Sequence, residues 1–324
     1  MKGDEKSENW TVSSEFYILA FSTQPQSQVV LFIGILGIYL IAMIGNMIIT
    51  MLILLVVQLH TPMYFFLCNL SLLDMTFVSV TLPKLLSITL KNIGTISFNA
   101  CIAQMYFFIS TANIESFLLT SMAYDRYVAI CNPLRYPLIL TKTSMLLLST
   151  VSWFLGFSNS FVLTLLTSNL SFCRSHTIQN FFCDLKALLK LSCSDTTTIE
   201  RIILVDNFLI GFIPYMLTMT SYVYIIATVL KIQSLQGKLK AFSNCTSHLT
   251  IVLIYYAIGI CLYTTPDTEN SLLQDGILSL IYIALIPMIN PVVYSLRNKE
   301  VLGALKKVMG WQRKSMLSKN NLFQ

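Results

Sequence analysis

Charge is scarce in this 324-residue sequence: 11% of its residues are Asp, Glu, Lys or Arg, against 55% apolar. A water-soluble domain carries about a quarter charged residues. There is too little polar surface here to face water all round, which excludes an ordinary soluble globular protein. Histidine is scarcer still, with His60, His176 and His248 scattered along the chain. No HExxH pair, Gly-rich phosphate loop or nucleophile with a base at workable spacing is present, so no enzyme and no cofactor are expected. A cleavable leader is also missing from the pattern. Met1–Glu15 is polar and acidic, so the first apolar span is expected to do the targeting itself.

What is abundant is apolar run length. A helix needs about 20 apolar residues to cross the hydrocarbon core. The runs Val29–Val57, Pro62–Leu82, Ala100–Ile130, Ser144–Thr167, Ile202–Leu230, Ala241–Tyr263 and Ile277–Tyr294 each meet or approach that length. The expected fold is an all-α membrane protein, a seven-transmembrane helix bundle. After the seventh span, Val301, Leu302, Leu305, Val308 and Met309 share one helical face, with Lys306 and Lys307 opposite or at its edge. That pattern predicts a short amphipathic cytoplasmic helix on the inner leaflet. The organisation is therefore read as residues 1–28, an extracellular tail; 29–296, the seven-span domain; and 297–324, the cytoplasmic helix and tail.

Basic residues orient the bundle. With the N-terminus outside, the cytoplasmic segments hold 13 Lys and Arg against two acids, Asp125 and Glu300, while the outer segments hold eight bases and ten acids. The net charge of +6 is thus a topology signal, and nucleic acid is not an expected partner. The sequon Asn9-Trp10-Thr11 falls in the outer tail and marks Asn9 as a glycosylation candidate. Asn169-Leu170-Ser171 is a second outer-side sequon. Cys101, Cys173, Cys183 and Cys193 fall on the oxidising side, where disulfides persist, and four cysteines allow three pairings.

Ionisable residues inside a span are costly and point to function. Stepping along the third span by fours and threes gives Cys101, Met105, Phe108, Ala112, Glu115, Leu119, Met122 and Arg126 on one face. That face is about 37 Å long. It links a cysteine at the outer end to Glu115 in the middle and to Arg126 at the inner end. Asp74 on the second span is a partner for Glu115, and the two are a candidate cation or proton site, which Asn46 and Asn290 could complete. The alternative is interhelical hydrogen bonding without an ion. Asp206, near the start of the fifth span, reads either as the counterion of a ligand amine or as a headgroup-level residue beside Arg201, and the second reading is preferred. Pro214, Pro287 and Pro291 are expected kink points.

Several blocks carry a family resemblance. "MAYDRYVAICNPLRY", Met122–Tyr136, closes the third span; "LHTPMY", Leu59–Tyr64, forms the first inner loop; "KAFSNCTSH", Lys240–His248, opens the sixth span; and "PMINPVVY", Pro287–Tyr294, closes the seventh. In this order they closely resemble the rhodopsin-like G-protein-coupled receptors, and among them the odorant (olfactory) receptors of the tetrapod-type branch. The resemblance runs from about Gly34 to Lys306. It implies disulfides Cys101–Cys183 and Cys173–Cys193 and a ligand pocket formed by Phe108, Ile109, Ala112, Asn113, Asn207, Ile210, Gly259, Ile260, Tyr263 and Ile283. It further implies an activation switch made of Asp125, Arg126, Tyr127, Tyr222, Tyr256, Asn290, Pro291 and Tyr294. The expected partners are a small, mostly apolar odorant, membrane lipids and a stimulatory, olfactory-type heterotrimeric G protein that raises cyclic AMP at the plasma membrane. Alternatives are a receptor of the same kind for a non-odorant molecule and, further off, an ion-coupled transporter. An opsin is disfavoured because Ile277–Tyr294 contains no Lys to anchor retinal. Two departures from the family pattern stand out, Ala257 after Tyr256 and Thr265 before Pro266.

Overall fold

The structure is a computed structural model and describes residues 15–19, 25–91, 94–173, 175–264, 271–296, 300–308 and 310. Asn9, Thr265 and Pro266 lie outside the described residues, as does the side chain of Tyr263.

Long helices form where the sequence is apolar and end where capping residues or prolines intervene. Helix α1 spans Pro25–Leu55 and α2 spans Pro62–Lys91. Each begins on a proline, whose missing N–H would have been unpaired in the first turn anyway. Helix α3, Phe98–Cys131, starts at Ser97, whose hydroxyl accepts from Ala100 N at 3.4 Å, and stops one residue before Asn132-Pro133. A single turn, α4 (Tyr136–Ile139), precedes α5 (Lys142–Ser168), which Thr141 caps through Ser144 N at 3.2 Å. Two short helices follow, α6 (Leu185–Leu191) and α7 (Thr197–Asp206). A π turn, Asn207–Phe212, joins α7 to α8 (Ile213–Lys231), so that Thr197–Lys231 makes one span. Helices α9 (Leu235–Thr264) and α10 (Ser271–Leu296) complete the bundle.

Among the described residues, four of these spans are long and apolar enough to cross a membrane by themselves: α1, α2, α5 and Thr197–Lys231. Helix α9 joins them only as a bent pair, with a 44° bend between Leu235–Ser243 and Cys245–Cys261, and in α10 the apolar part is the shorter Leu278–Tyr294. Helix α3 fails on polarity, and its burial explains why. Ser110, Thr111, Glu115, Ser116, Ser121 and Asp125 are all buried among neighbouring helices and never meet the hydrocarbon. Peripheral helices show the reverse, with Val29, Val30, Ile33, Leu54 and Leu55 of α1 and Leu204, Phe208 and Leu217 of the fifth span exposed. An apolar belt of this kind suits lipid rather than water.

The prolines show how the bundle keeps its backbone paired. Pro214 has no N–H to offer the carbonyl of Ile210 four residues earlier. Ser116 Oγ on α3 donates to that oxygen at 2.9 Å. Pro291 likewise frees the carbonyl of Pro287, and Asn46 Nδ2 on α1 donates to it at 2.9 Å. Both proline positions are therefore also interhelical ties.

At one end of the bundle a small sheet covers the helices. Strand β1 (Glu15–Ile18) runs antiparallel to β2 (Thr95–Ser97) and parallel to β3 (Thr177–Ile178), in the order β2-β1-β3. Phe16 of β1 is buried and packs its ring edge-on to Phe172 at 5.4 Å. Gly94 is required here, because a Cβ on it would lie 2.2 Å from Ile18 O. The disulfides Cys101–Cys183 and Cys173–Cys193 fasten the long α5–α7 connection to α3 and to itself. At the other end, Val301 and Ala304 of the segment 300–308 are buried, Lys306 and Lys307 are exposed, and Tyr64 Oη donates to Glu300 Oε2 at 2.7 Å.

Close packing of α3 on α5 depends on Gly156, where a Cβ would lie 2.4 Å from Ile114 Cγ1, 3.1 Å from Ile114 N and 3.2 Å from Ser110 O. Gly156→Val is expected to destabilise the protein by about 1–3 kcal/mol through overpacking. Gly37→Ala meets nothing within 4 Å and should leave stability unchanged or raise it by up to about 1 kcal/mol. Thermal-unfolding midpoints of the two detergent-solubilised variants, measured side by side, check the contrast.

Candidate functional site

Helix α3 runs through the middle of the bundle and carries both halves of the candidate site. Towards the disulfide end, Phe108 stacks on Phe77 (5.4 Å), tilts against Phe182 (4.5 Å) and meets Tyr282 edge-on (6.0 Å). Ile283 is fully buried in the same apolar cluster, and Ile109 and Ala112 pack against it. Tyr255 Oη donates to the Ala112 carbonyl at 2.8 Å, bringing α9 against α3 at this level. The roof is held by Gln104, which accepts from Cys183 N and donates to Val80 O, both at 2.9 Å. An apolar, aromatic surface with few polar groups is what a small organic ligand needs.

Of the pocket positions the resemblance implies, Phe108, Ile109, Ala112 and Ile283 share this cluster. Phe108, Ile109, Ala112, Asn113, Ile210, Gly259 and Ile283 are buried or half-buried. Asn207 and Ile260 lie on the exposed side. Asn207 is the first residue of the π turn that joins α7 to α8. The residue sequence reasoning passed over is Asn159 on α5. With its amide turned so that the nitrogen faces Asp206, Asn159 donates to Asp206 Oδ2 at 3.1 Å and Oδ1 at 3.2 Å, and accepts from Asn113 Nδ2 at 3.1 Å. Asp206 is half-buried and is hydrogen-bonded to α5. No short motif could have signalled this, since the three residues sit on three different helices.

In the middle of α3, Glu115 and Asp74 are both buried. Asn290 Nδ2 donates to Asp74 Oδ2 at 2.8 Å, which ties α10 to α2. Asn46 does not join them; it bonds the carbonyls of Ala42 and Pro287 on α1 and α10. Among the described residues no group of three or more His, Cys, Asp or Glu could hold a metal ion. Asn290 satisfies one oxygen of Asp74, whereas among the described residues Glu115 Oε1, Asn46 Oδ1 and Asn290 Oδ1 are buried without a hydrogen-bond partner, and Asp74 with Glu115 remains a candidate cation or proton site.

The far end of α3 carries the Asp-Arg pair. Asp125 is fully buried, and Arg126 Nη2 lies 2.6 Å from Asp125 Oδ2. Tyr136 Oη on α4 donates to the other carboxylate oxygen at 2.8 Å. Burial, followed by the Asp125 charge, pushes the Tyr136 phenol above its ordinary range, so it stays a donor at physiological pH. Nearby, Tyr222 Oη on α8 meets His248 Nδ1 on α9 at 2.5 Å, and both residues are buried. Tyr256 Oη reaches Ser116 Oγ at 3.4 Å. Tyr294 is fully buried in the core cluster with Met122 and Leu119. Tyr127 stacks edge-on against Tyr224 at 5.9 Å, and Pro291 meets Gly45, where a Cβ would lie 2.9 Å from the ring. The switch residues named from sequence are thus spread over several helix contacts: Tyr127 at α3–α8, Tyr222 at α8–α9, Tyr256 at α9–α3, Asn290 at α10–α2, Pro291 at α10–α1 and Asp125 at α3–α4.

Comparison with known proteins agrees with this architecture. A family model described as olfactory receptor matches residues 35–312. Olfactory receptor 1G1 of Gorilla gorilla gorilla is 45% identical, over 94% of this chain and 97% of its own. Olfactory receptor 1J1 of Homo sapiens is 46% identical, over 93% of this chain and 94% of its own. Olfactory receptor 1 of Rattus norvegicus is 44% identical, over 93% and 96%.

Gln104→Ala removes the acceptor of the buried Cys183 N–H and the donor to Val80 O. It should destabilise the protein by about 1–3 kcal/mol. Gln104→Glu keeps the acceptor and should lose less. Thermal midpoints, with amide hydrogen exchange over residues 181–185, give the readout.

Proposed function

The chain belongs to the olfactory receptor family, and on that premise we propose that it binds small, mostly apolar organic ligands and activates a stimulatory, olfactory-type G protein, raising cyclic AMP. As a member of a G-protein-coupled receptor family it is a multi-pass membrane protein and not an enzyme. The N-terminus lies outside, following the Lys and Arg asymmetry. Residues 1–28 are then the outer tail, 29–296 the receptor domain and 297–324 the inner helix and tail, in the plasma membrane.

The observation that carries this reading is the single face of α3. It runs from the aromatic cluster at Phe108, past the α9 contact at Ala112, to the buried Asp125–Arg126–Tyr136 group at the other end. A ligand against Phe108, Ile109, Ala112 and Asn113 contacts the helix whose far end holds the switch. It shifts the equilibrium only by its differential affinity for the active arrangement. In that arrangement the inner end of α9 swings outward and the Tyr222–His248 contact breaks. Asp125 then releases Arg126 into a crevice that receives the C-terminal helix of the G-protein α subunit. The receptor speeds nucleotide exchange on its partner without making a covalent bond.

Arg126→Ala is expected to abolish cyclic AMP signalling to a broad volatile panel while surface labelling persists; unchanged signalling would sink the assignment. Tyr136→Phe removes one restraint on Asp125 and should raise ligand-independent cyclic AMP by about two- to tenfold, the range one net hydrogen bond supplies. Basal reporter output normalised to surface receptor tests it.

A further inference from the structure

One carboxylate at the ligand level takes no part in the activation scheme. Asp206 ends α7 immediately before the π turn. Its height is set by two ties below it, Ser116 Oγ to Ile210 O and Thr120 Oγ1 to Pro214 O. Each step of four residues on α3 is matched by four in the fifth span. One turn further up, the same register brings Asp206 level with Ala112 and Asn113. The Asp206–Asn159–Asn113 chain and the Tyr255–Ala112 bond then lie side by side, so that α3, α5, α7 and α9 meet at one depth.

The chemistry of the group is unbalanced. A carboxylate has about four acceptor positions, and a single amide group, Asn159 Nδ2, donates to it. Among the described residues Asp206 forms no ion pair; that arrangement belongs to Asp125 and Arg126 at the other end. A half-buried carboxylate within a bundle, held by an amide and lacking a cation, is complemented by a cationic donor. Ala112, next to Asn113 on α3, brings apolar surface to the same level. We propose that Asp206, positioned by Asn159, is the recognition point for a protonated amine, and that the receptor's preferred ligands are small aliphatic or aromatic amines whose apolar part rests on α3 at the level of Ala112. This inference rests on the receptor reading above and sharpens its ligand class.

The test uses the full-length receptor in a cyclic AMP reporter cell with matched n-alkylamines, n-alkanols and alkyl methyl ethers from butyl to octyl, and with benzylamine. At least one amine should act at a concentration about tenfold or more below its matched alcohol. Asp206→Asn keeps the size of the side chain and a bond to Asn159, and should raise that amine's half-effective concentration roughly thirtyfold or more. Neutral ligands should shift by less than about threefold. Equal shifts for amines and neutral ligands would show that Asp206 only ties α7 to α5 and would overturn the proposal, as would neutral agonists acting where no amine does. A wild type silent to every compound, and unaffected by Arg126→Ala, would instead count against the receptor reading itself. Should Asp206→Asn fail to reach the surface, Asp206→Glu decides: retained preference for the amine over its alcohol supports the proposal, and its loss with neutral responses intact overturns it.

Discussion

Every peptide group placed in hydrocarbon must find a partner inside the protein, and the architecture of this bundle follows from meeting that demand at its kinks. Prolines break the backbone ladder in α2, α8 and α10, and at Pro214 and Pro291 the freed carbonyl is taken up by a side chain of a different helix. Ser116 closes the gap at Ile210 and Asn46 the gap at Pro287. The same bonds set the height of the fifth span against α3 and of α10 against α1. Bending and registration are thus achieved by one set of contacts, and the positions of the ligand-level and switch-level residues are consequences of it.

Helix α3 illustrates how polarity is distributed once that frame exists. It is too polar to cross a membrane alone, yet it stands in the middle, where hydroxyls of Ser110, Thr111, Thr120 and Ser121 fold back on carbonyls of their own helix. At its inner end Asp125 is paired with Arg126 and accepts a hydrogen bond from Tyr136. The apolar helices outside shield it from lipid. A helix that reads as marginal in isolation is the most enclosed element of the bundle.

Much of this was legible in the chain. Apolar run length located the seven spans, and the period of α3 placed Cys101, Phe108, Glu115 and Arg126 on one face. Motif order pointed to the family. What stayed hidden depends on meetings between elements distant in sequence. Periodicity tells which face of α5 turns inward but not that Asn159 there meets Asp206, and nothing in Asn207–Phe212 announces a π turn. The strand at Glu15–Ile18 was equally silent, because four residues pair only when two remote loops are brought to them. The pocket candidates come from the resemblance and not from periodicity; of these, Phe108, Ile109, Ala112 and Ile283 share one apolar cluster, while Asn207 and Ile260 are exposed.

The small sheet has a consequence for the order of events during synthesis. Its central strand is made first, but one of its partners, Thr177–Ile178, lies beyond four of the spans and is made much later. At about 5–20 residues per second, the wait is on the order of ten to thirty seconds. Over that interval Phe16 has no Phe172 to pack against and the strand's edges are open. The covering over the ligand end therefore waits for a segment made after the first four spans, and the nascent receptor passes through a stage in which those spans exist while the roof over them does not.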